Sequence, residues 1–219
     1  MLNDMLASIC ACFVPVVAAV IVFQLLVPQQ NTAHALLACL LGLLCVVPIA
    51  IMQIILNRLP VFSPSSILNV FITAIVFNGL VEETIKMLML LLLPARTKSL
   101  APFFACSLLF GLTLGCFENV IYLVNGTADL FLRMATSVPV HCVCAGLCGL
   151  YVWSFKKKEA HVMPFVYAVL VHGIYNFFAA LPSSVTICGK IPLNIFAMIA
   201  ILFSLIEIRA WYLQLRQLH

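Results

Sequence analysis

Six ionisable side chains stand deep in apolar surroundings in this sequence: Glu82, Glu83, Lys86, Glu118, His141 and His172. Glutamate and histidine take a proton from water or return one to a leaving group near neutral pH, and a lysine keeps a buried carboxylate charged. Glu82 and Lys86 stand at i and i+4, the favourable order for a helical ion pair, while Glu83 is turned by about 100° and faces elsewhere. That phase predicts Glu82 paired with Lys86 and Glu83 left to act as base. Gly111, Gly115 and Glu118 share one helical stripe, as do His141, Ala145 and Cys148, and Ala168, His172 and Asn176. On each stripe small residues admit a neighbouring helix and the polar group meets it. Three carboxylates against one lysine leave about −2 in a low dielectric, to be relieved by protonation, by imidazolium or by one divalent cation. Two imidazoles and one carboxylate with a fourth position open to water suit zinc, which would make Glu118, His141 and His172 the ligands. No HExxH spacing is present, so metal-bound and metal-free sites both stay open at this point.

The elements that carry these groups are membrane helices. The chain of 219 residues is 65% hydrophobic and 8% charged with a mean hydropathy of +1.21, where soluble domains run near 45–50% apolar and about 25% charged. A crossing needs ~20 apolar residues, and runs of that kind fall at about 6–27, 35–56, 67–93, 100–124, 134–155, 162–181 and 191–213. Turn chemistry separates them: Pro28 with Gln29 and Asn31, Pro60 with Ser63, Pro64 and Ser65, Pro94, Asn125–Gly126, Lys156–Lys157–Lys158, and Pro182–Ser183–Ser184. The fold class is therefore an all-α polytopic membrane protein, one bundle of about seven transmembrane helices over residues 1–219, with its motif-bearing core at 67–181. The first run follows no basic leading region and precedes no clean small-residue cleavage site, so it is expected to stay as a span. Nine of the ten cysteines lie within apolar runs and read as small buried hydrophobes, Cys188 being the loop exception.

Seven crossings place Arg58, Arg133 and Lys190 on the side of the N-terminus and Arg96, Lys98, Lys156, Lys157, Lys158, Arg209 and Arg216 on the other. The excess marks the second face as cytoplasmic, putting the N-terminus outside and the C-terminus inside. Tyr151, Trp153, Trp211 and Tyr212 stand where the cytoplasmic aromatic belt is expected. At ~1.5 Å per residue, Glu118, His141 and His172 lie about 10 to 15 Å from the outer ends of their spans, and Glu82 and Glu83 lie near the midplane. An ionisable group at the bilayer centre costs at least ~2.5–3.5 kcal/mol. Helices of alternating direction place such groups in one slab only if the groups meet, so one pocket between midplane and outer leaflet is expected.

With these residues in view the chain resembles the PrsW family of intramembrane proteases, distantly akin to the CAAX-processing and bacteriocin-protection proteases. The resemblance rests on Glu82–Glu83–Thr84–Ile85–Lys86, on Phe117–Glu118–Asn119 with Tyr122, on Arg133 through Ser137–Val138–Pro139 to His141, and on His172–Gly173–Ile174–Tyr175–Asn176. It implies a bacterial cell-membrane protease that cuts a membrane-tethered regulator, typically an anti-sigma factor, near its extracytoplasmic juxtamembrane region. It further implies catalytic roles for Glu82, Glu83, Glu118, His141, His172 and Asn176, supported by Lys86 and Asn119. In that scheme a glutamate activates water, and His and Asn stabilise the oxyanion and protonate the leaving amine; zinc, if bound, lowers the pKa of the water.

Two other classes use the same materials. Buried Glu, His and Lys build proton relays in transporters, whose inverted repeats are not seen here, and a polar groove can hold a substrate helix without cutting it. The composition makes the lipid bilayer one expected partner, and the resemblance implies a membrane-tethered protein as the other. With Lys156–Lys157–Lys158 as the longest basic run, a nucleic-acid surface has almost no material to be built from.

Overall fold

The computed structural model describes residues 2–56, 58–59, 66–95, 99–126 and 130–218. Of the expected turn and flank residues, Pro60, Ser63, Pro64, Ser65, Arg96 and Lys98 lie outside these. Among the described residues, seven helical spans long and apolar enough to cross a membrane run over Met5–Leu26, Thr32–Leu56, Ile67–Leu90, Leu100–Val124, Leu130–Lys156, Met163–Ala180 and Leu193–Gln217. They are built from α1 (Leu2–Leu26), α2 (Thr32–Leu56), α3 (Ile67–Ile72), a π-helical stretch (Thr73–Val81), α4 (Glu82–Leu90), α5 (Leu100–Val124), α6 (Leu130–Ala135), α7 (Ser137–Lys156), α8 (Met163–Ala180) and α9 (Phe196–Leu218). A two-stranded antiparallel hairpin, β1 (Thr186–Ile187) and β2 (Ile191–Pro192), joins α8 to α9.

The seventh span opens with a 3-10 turn, Leu193–Ile195, and the third and fifth depart from a plain α-helix further along their length, both for local causes. The fifth breaks between Ala135 and Ser137. Pro139 lacks an N–H, and its ring collides with the carbonyl four residues back, which is that of Ala135. The third carries nine residues of π-helix just before Glu82, and such wide turns concentrate at functional sites. Here the widened stretch lies against α8: a Cβ on Gly79 would come 2.7 Å from the Val169 carbonyl oxygen, and one on Gly173 would come 2.9 Å from Ile75 Cα. Only glycines permit that backbone approach, and it brings His172 beside the start of α4.

α5 and α7 form the buried centre, while α1, α2, the third span and α9 turn most of their surface outward. Large apolar side chains such as Leu25, Ile51, Phe131 and Ile206 stand exposed, as a lipid-facing perimeter requires. Trp153, one turn from the end of α7, is fully buried in the core, with Lys157 5.5 Å from its ring. Lys156 also turns inward. Its ammonium donates to the Leu91 oxygen at 2.7 Å and to the Leu93 oxygen, capping carbonyls that the end of α4 leaves without helical partners. All ten cysteines are free, and Cys188 is exposed on the hairpin turn.

Candidate active site

The ends of α2, α5 and α8 and the starts of α6 and α7 meet at one end of the bundle. Tyr175 near the end of α8 donates to Thr136 Oγ1 at 3.0 Å, just ahead of α7. Gly111 and Gly115 of α5 seat α7 directly. A Cβ on Gly111 would run into the His141 carbonyl oxygen, and one on Gly115 would lie 3.2 Å from His141 Cβ. That contact delivers His141 to Glu118. Gly111→Ala should therefore cost about 1–3 kcal/mol, the usual range for overpacking, and should separate His141 from Glu118. Thermal unfolding read beside cleavage checks this, the expected outcome being a loss of activity larger than the loss of fold.

The polar groups form a connected chain of contacts. Arg133 of α6 reaches Glu118 Oε1 at 3.3 Å, donates through Nε to Asn119 Oδ1 at 3.0 Å and through Nη2 to Ser137 Oγ at 3.3 Å, and lies 3.7 Å above the Tyr122 ring. Glu118 Oε2 stands 2.6 Å from His141 Nε2. The other ring nitrogen of His141, Nδ1, lies 3.0 Å from Lys86 Nζ. Lys86 Nζ in turn donates to Glu83 Oε1 at 2.6 Å, and the same oxygen lies 2.5 Å from His172 Nδ1. His172 Nε2 faces Glu82 Oε2 at 3.9 Å, and Glu82 Oε1 accepts from Gln53 Nε2 at 3.1 Å. The two imidazoles meet edge to face, with ring centroids 5.0 Å apart.

This geometry corrects the pairing expected at the start of α4. Lys86 bonds Glu83, three residues before it, not Glu82. The physical reason is which way the turn faces: Glu83 and Lys86 point to the centre of the bundle with no exposed surface, whereas Glu82 points aside toward α2. Glu83 is saturated, since its second oxygen, Oε2, also accepts from Cys148 Sγ at 3.4 Å. A cavity of about 290 Å³ opens beside the chain of contacts, lined among others by Gln53, Glu82, Glu118, Tyr122, Asn125 and His141. Glu82, Glu118 and His141 thus front the cavity, and Glu83 and His172 stand behind them. Asn119 is buried on Arg133. Asn176, one turn beyond His172 on α8, is half-buried and lines neither this cavity nor the one beyond Arg133 and Tyr175.

One group among the described residues has metal-binding proximity: Glu82, His141 and His172, all buried, with one ligand atom of each within 4.8 Å of the others. Its carboxylate is Glu82, whereas the helical stripes point to Glu118. Gln53 is a site residue that a search of ionisable groups passes over. Its signal is nonetheless in the sequence, because Val46, Ile49, Ala50 and Gln53 recur at i, i+3, i+4 and i+7 with one amide in an otherwise apolar stripe.

Residues 30–206 match the PrsW family intramembrane metalloprotease family. Protease PrsW of Oceanobacillus iheyensis is 29% identical over 149 residues, covering 63% of this chain and 66% of that protein, a little under two thirds of its length. No solved structure matches. The family match takes in every helix that contributes to the cavity, and on it the chain belongs to the PrsW family of intramembrane metalloproteases.

Proposed function

We propose that this protein is a membrane-embedded protease that hydrolyses a peptide bond of a membrane-tethered regulatory protein, of the anti-sigma-factor kind, at the end of the bundle where Gln53, Asn125 and Arg133 lie. The observation that carries the reading is the opposition of Glu82 Oε2 and His172 Nε2 at 3.9 Å beside a cavity whose far wall holds Glu118 and His141. Two acceptors at that separation are out of direct hydrogen-bonding range and within reach of one water.

In this scheme Glu82 takes a proton from that water while its oxygen bonds to the carbonyl carbon. The carbonyl oxygen becomes an oxyanion held by donors of the Glu118–His141 wall. The C–N bond then breaks as the proton passes from Glu82 to the amine. Gln53 holds the Glu82 carboxylate in line. Roles are thereby exchanged relative to the sequence reading: Glu82 is the base, and Glu83 is the buried anchor for Lys86 and His172.

The family description implies a metal, which in such enzymes acidifies the bound water and polarises the carbonyl. In the arrangement present the donors do not fit a three-ligand site. His141 accepts from Lys86 at Nδ1, which puts its hydrogen and not a lone pair on Nε2, and Glu118 stands outside the close group of donors, which leaves Glu82 and His172 Nε2. Catalytic zinc takes three protein ligands. The hydrolysis is therefore assigned to the chain's own groups.

Cleavage of a single-span peptide in proteoliposomes prepared in H2(18)O tests the reading. Incorporation of one heavy oxygen at the new C-terminus supports it, and intact peptide overturns it. The expected topology, N-terminus outside a bacterial cell membrane, puts the site on the extracytoplasmic side. Cys188 lies on the hairpin at that end and is exposed. A membrane-impermeant maleimide should label it in intact cells, with the label lost in Cys188→Ser; labelling only after the cytoplasmic face is opened would reverse the orientation.

A further inference from the structure

We propose that Lys86 is a positioning residue that fixes the proton of His141 on Nε2, so that this ring meets the cavity as a hydrogen-bond donor and not as a metal ligand. The inference deepens the proposed function and rests on it only for its catalytic consequence.

Donors and acceptors decide the tautomer. Lys86 is fully buried, and its Nζ lies 2.6 Å from Glu83 Oε1 and 3.0 Å from His141 Nδ1. An ammonium carries donors and no lone pair. In the contact between Nζ and Nδ1 the lysine is therefore the donor and Nδ1 the acceptor. A neutral imidazole that accepts at Nδ1 carries its hydrogen on Nε2. Nε2 lies 2.6 Å from Glu118 Oε2, a buried oxygen without a hydrogen-bond partner among the described residues, so the contact with Lys86 is the one that sets the tautomer. An imidazolium is excluded by the same geometry, since its Nδ1–H would point at the ammonium.

His172 supplies the internal contrast. Its Nδ1 lies 2.5 Å from Glu83 Oε1, a carboxylate oxygen, so the hydrogen is on Nδ1 and the lone pair of Nε2 is turned toward Glu82. Two residues one turn apart, Glu83 and Lys86, thus set neighbouring histidines in opposite tautomers. One presents an acceptor to the place between it and Glu82 where the attacking water would be held. The other presents an N–H, beside Glu118, to the side of the cavity where an oxyanion forms. Ordinary metal-ligating histidines have the reverse support, donating their outer N–H to a carboxylate or carbonyl. His172 has that support and His141 does not.

Nitrogen spectroscopy of the full chain, labelled with [15N]histidine in detergent micelles, tests this. The His141 signals are those absent from His141→Gln. Expected is a protonated Nε2 with an unprotonated Nδ1 for His141, the opposite for His172, and loss of the single His141 tautomer in Lys86→Met. A protonated Nδ1 on His141 in the parent overturns the proposal, and so does a folded Lys86→Met with the His141 tautomer unchanged. If Lys86→Met does not fold, the parent spectrum alone decides. A Co2+ titration followed by visible absorption adds a second readout. His141→Ala should bind the ion within about threefold of the parent, or neither should bind it, whereas a loss of tenfold or more would make His141 a ligand and overturn the assignment. Neither readout uses cleavage, so failure of the protease reading and failure of this one are told apart.

Discussion

Glu83→Gln and Lys86→Met should each unfold at a clearly lower temperature than the parent, by the equivalent of about 3–5 kcal/mol, the usual cost of removing one partner from a buried ion pair. Glu83 has no exposed surface and receives Lys86 Nζ, His172 Nδ1 and Cys148 Sγ. A glutamine offers one carbonyl oxygen to those donors and turns an NH2 group of its own toward some of them, so at least one donor is stranded without water to replace the partner. Lys86→Met leaves the carboxylate buried beside His172 with its cation gone. Thermal melts in detergent, read by intrinsic fluorescence, measure both variants. A Glu83→Gln protein as stable as the parent would contradict the assignment of Glu83 as anchor. The i, i+4 rule alone leads to the opposite expectation, that Glu83→Gln is nearly neutral for stability, because it pairs Lys86 with Glu82.

Glu82→Gln should behave in the other way, losing cleavage by about 10²- to 10⁴-fold, the range contributed by a positioned general base, at nearly unchanged stability. Glu82 lies at the cavity wall and accepts a hydrogen bond from Gln53. An amide oxygen accepts the same bond, so the variant leaves Gln53 partnered, yet it takes no proton from water. Melting temperatures within a few degrees of the parent, beside an activity loss of this size, are the expected pair of results.

Much of the fold is legible in the sequence. Each of the seven spans begins and ends within a few residues of the apolar run that announces it, because in lipid a helix is the structure in which a single apolar run satisfies its own backbone. The gathering of Glu82, Glu83, Lys86, Glu118, His141 and His172 is legible for a related reason: ionisable groups at that depth must find one another. The pairing within the gathering is not. Whether Lys86 meets the residue three or four positions back depends on the direction that turn faces, and the π-helical stretch before Glu82 resets that direction. No periodicity announces such a stretch, although the Gly79–Gly173 approach beside it rests on residues plain in the sequence. Arg133 reads as a flanking charge in the sequence and stands inside the site instead, because the break forced by Pro139 folds α6 over the end of α5. Asn176 shares a helix face with His172, which says where its side chain starts; the neighbouring helices decide what it meets, and it is not among the residues that line the cavity.

That Glu82, not Glu83, is the group that activates water is tested most directly by cleavage of one membrane-tethered peptide by Glu82→Gln and Glu83→Gln, each reconstituted in proteoliposomes and each normalised to its folded fraction. Folded Glu82→Gln should be inactive while the folded fraction of Glu83→Gln keeps measurable cleavage; full activity in Glu82→Gln with none in folded Glu83→Gln would contradict the assignment.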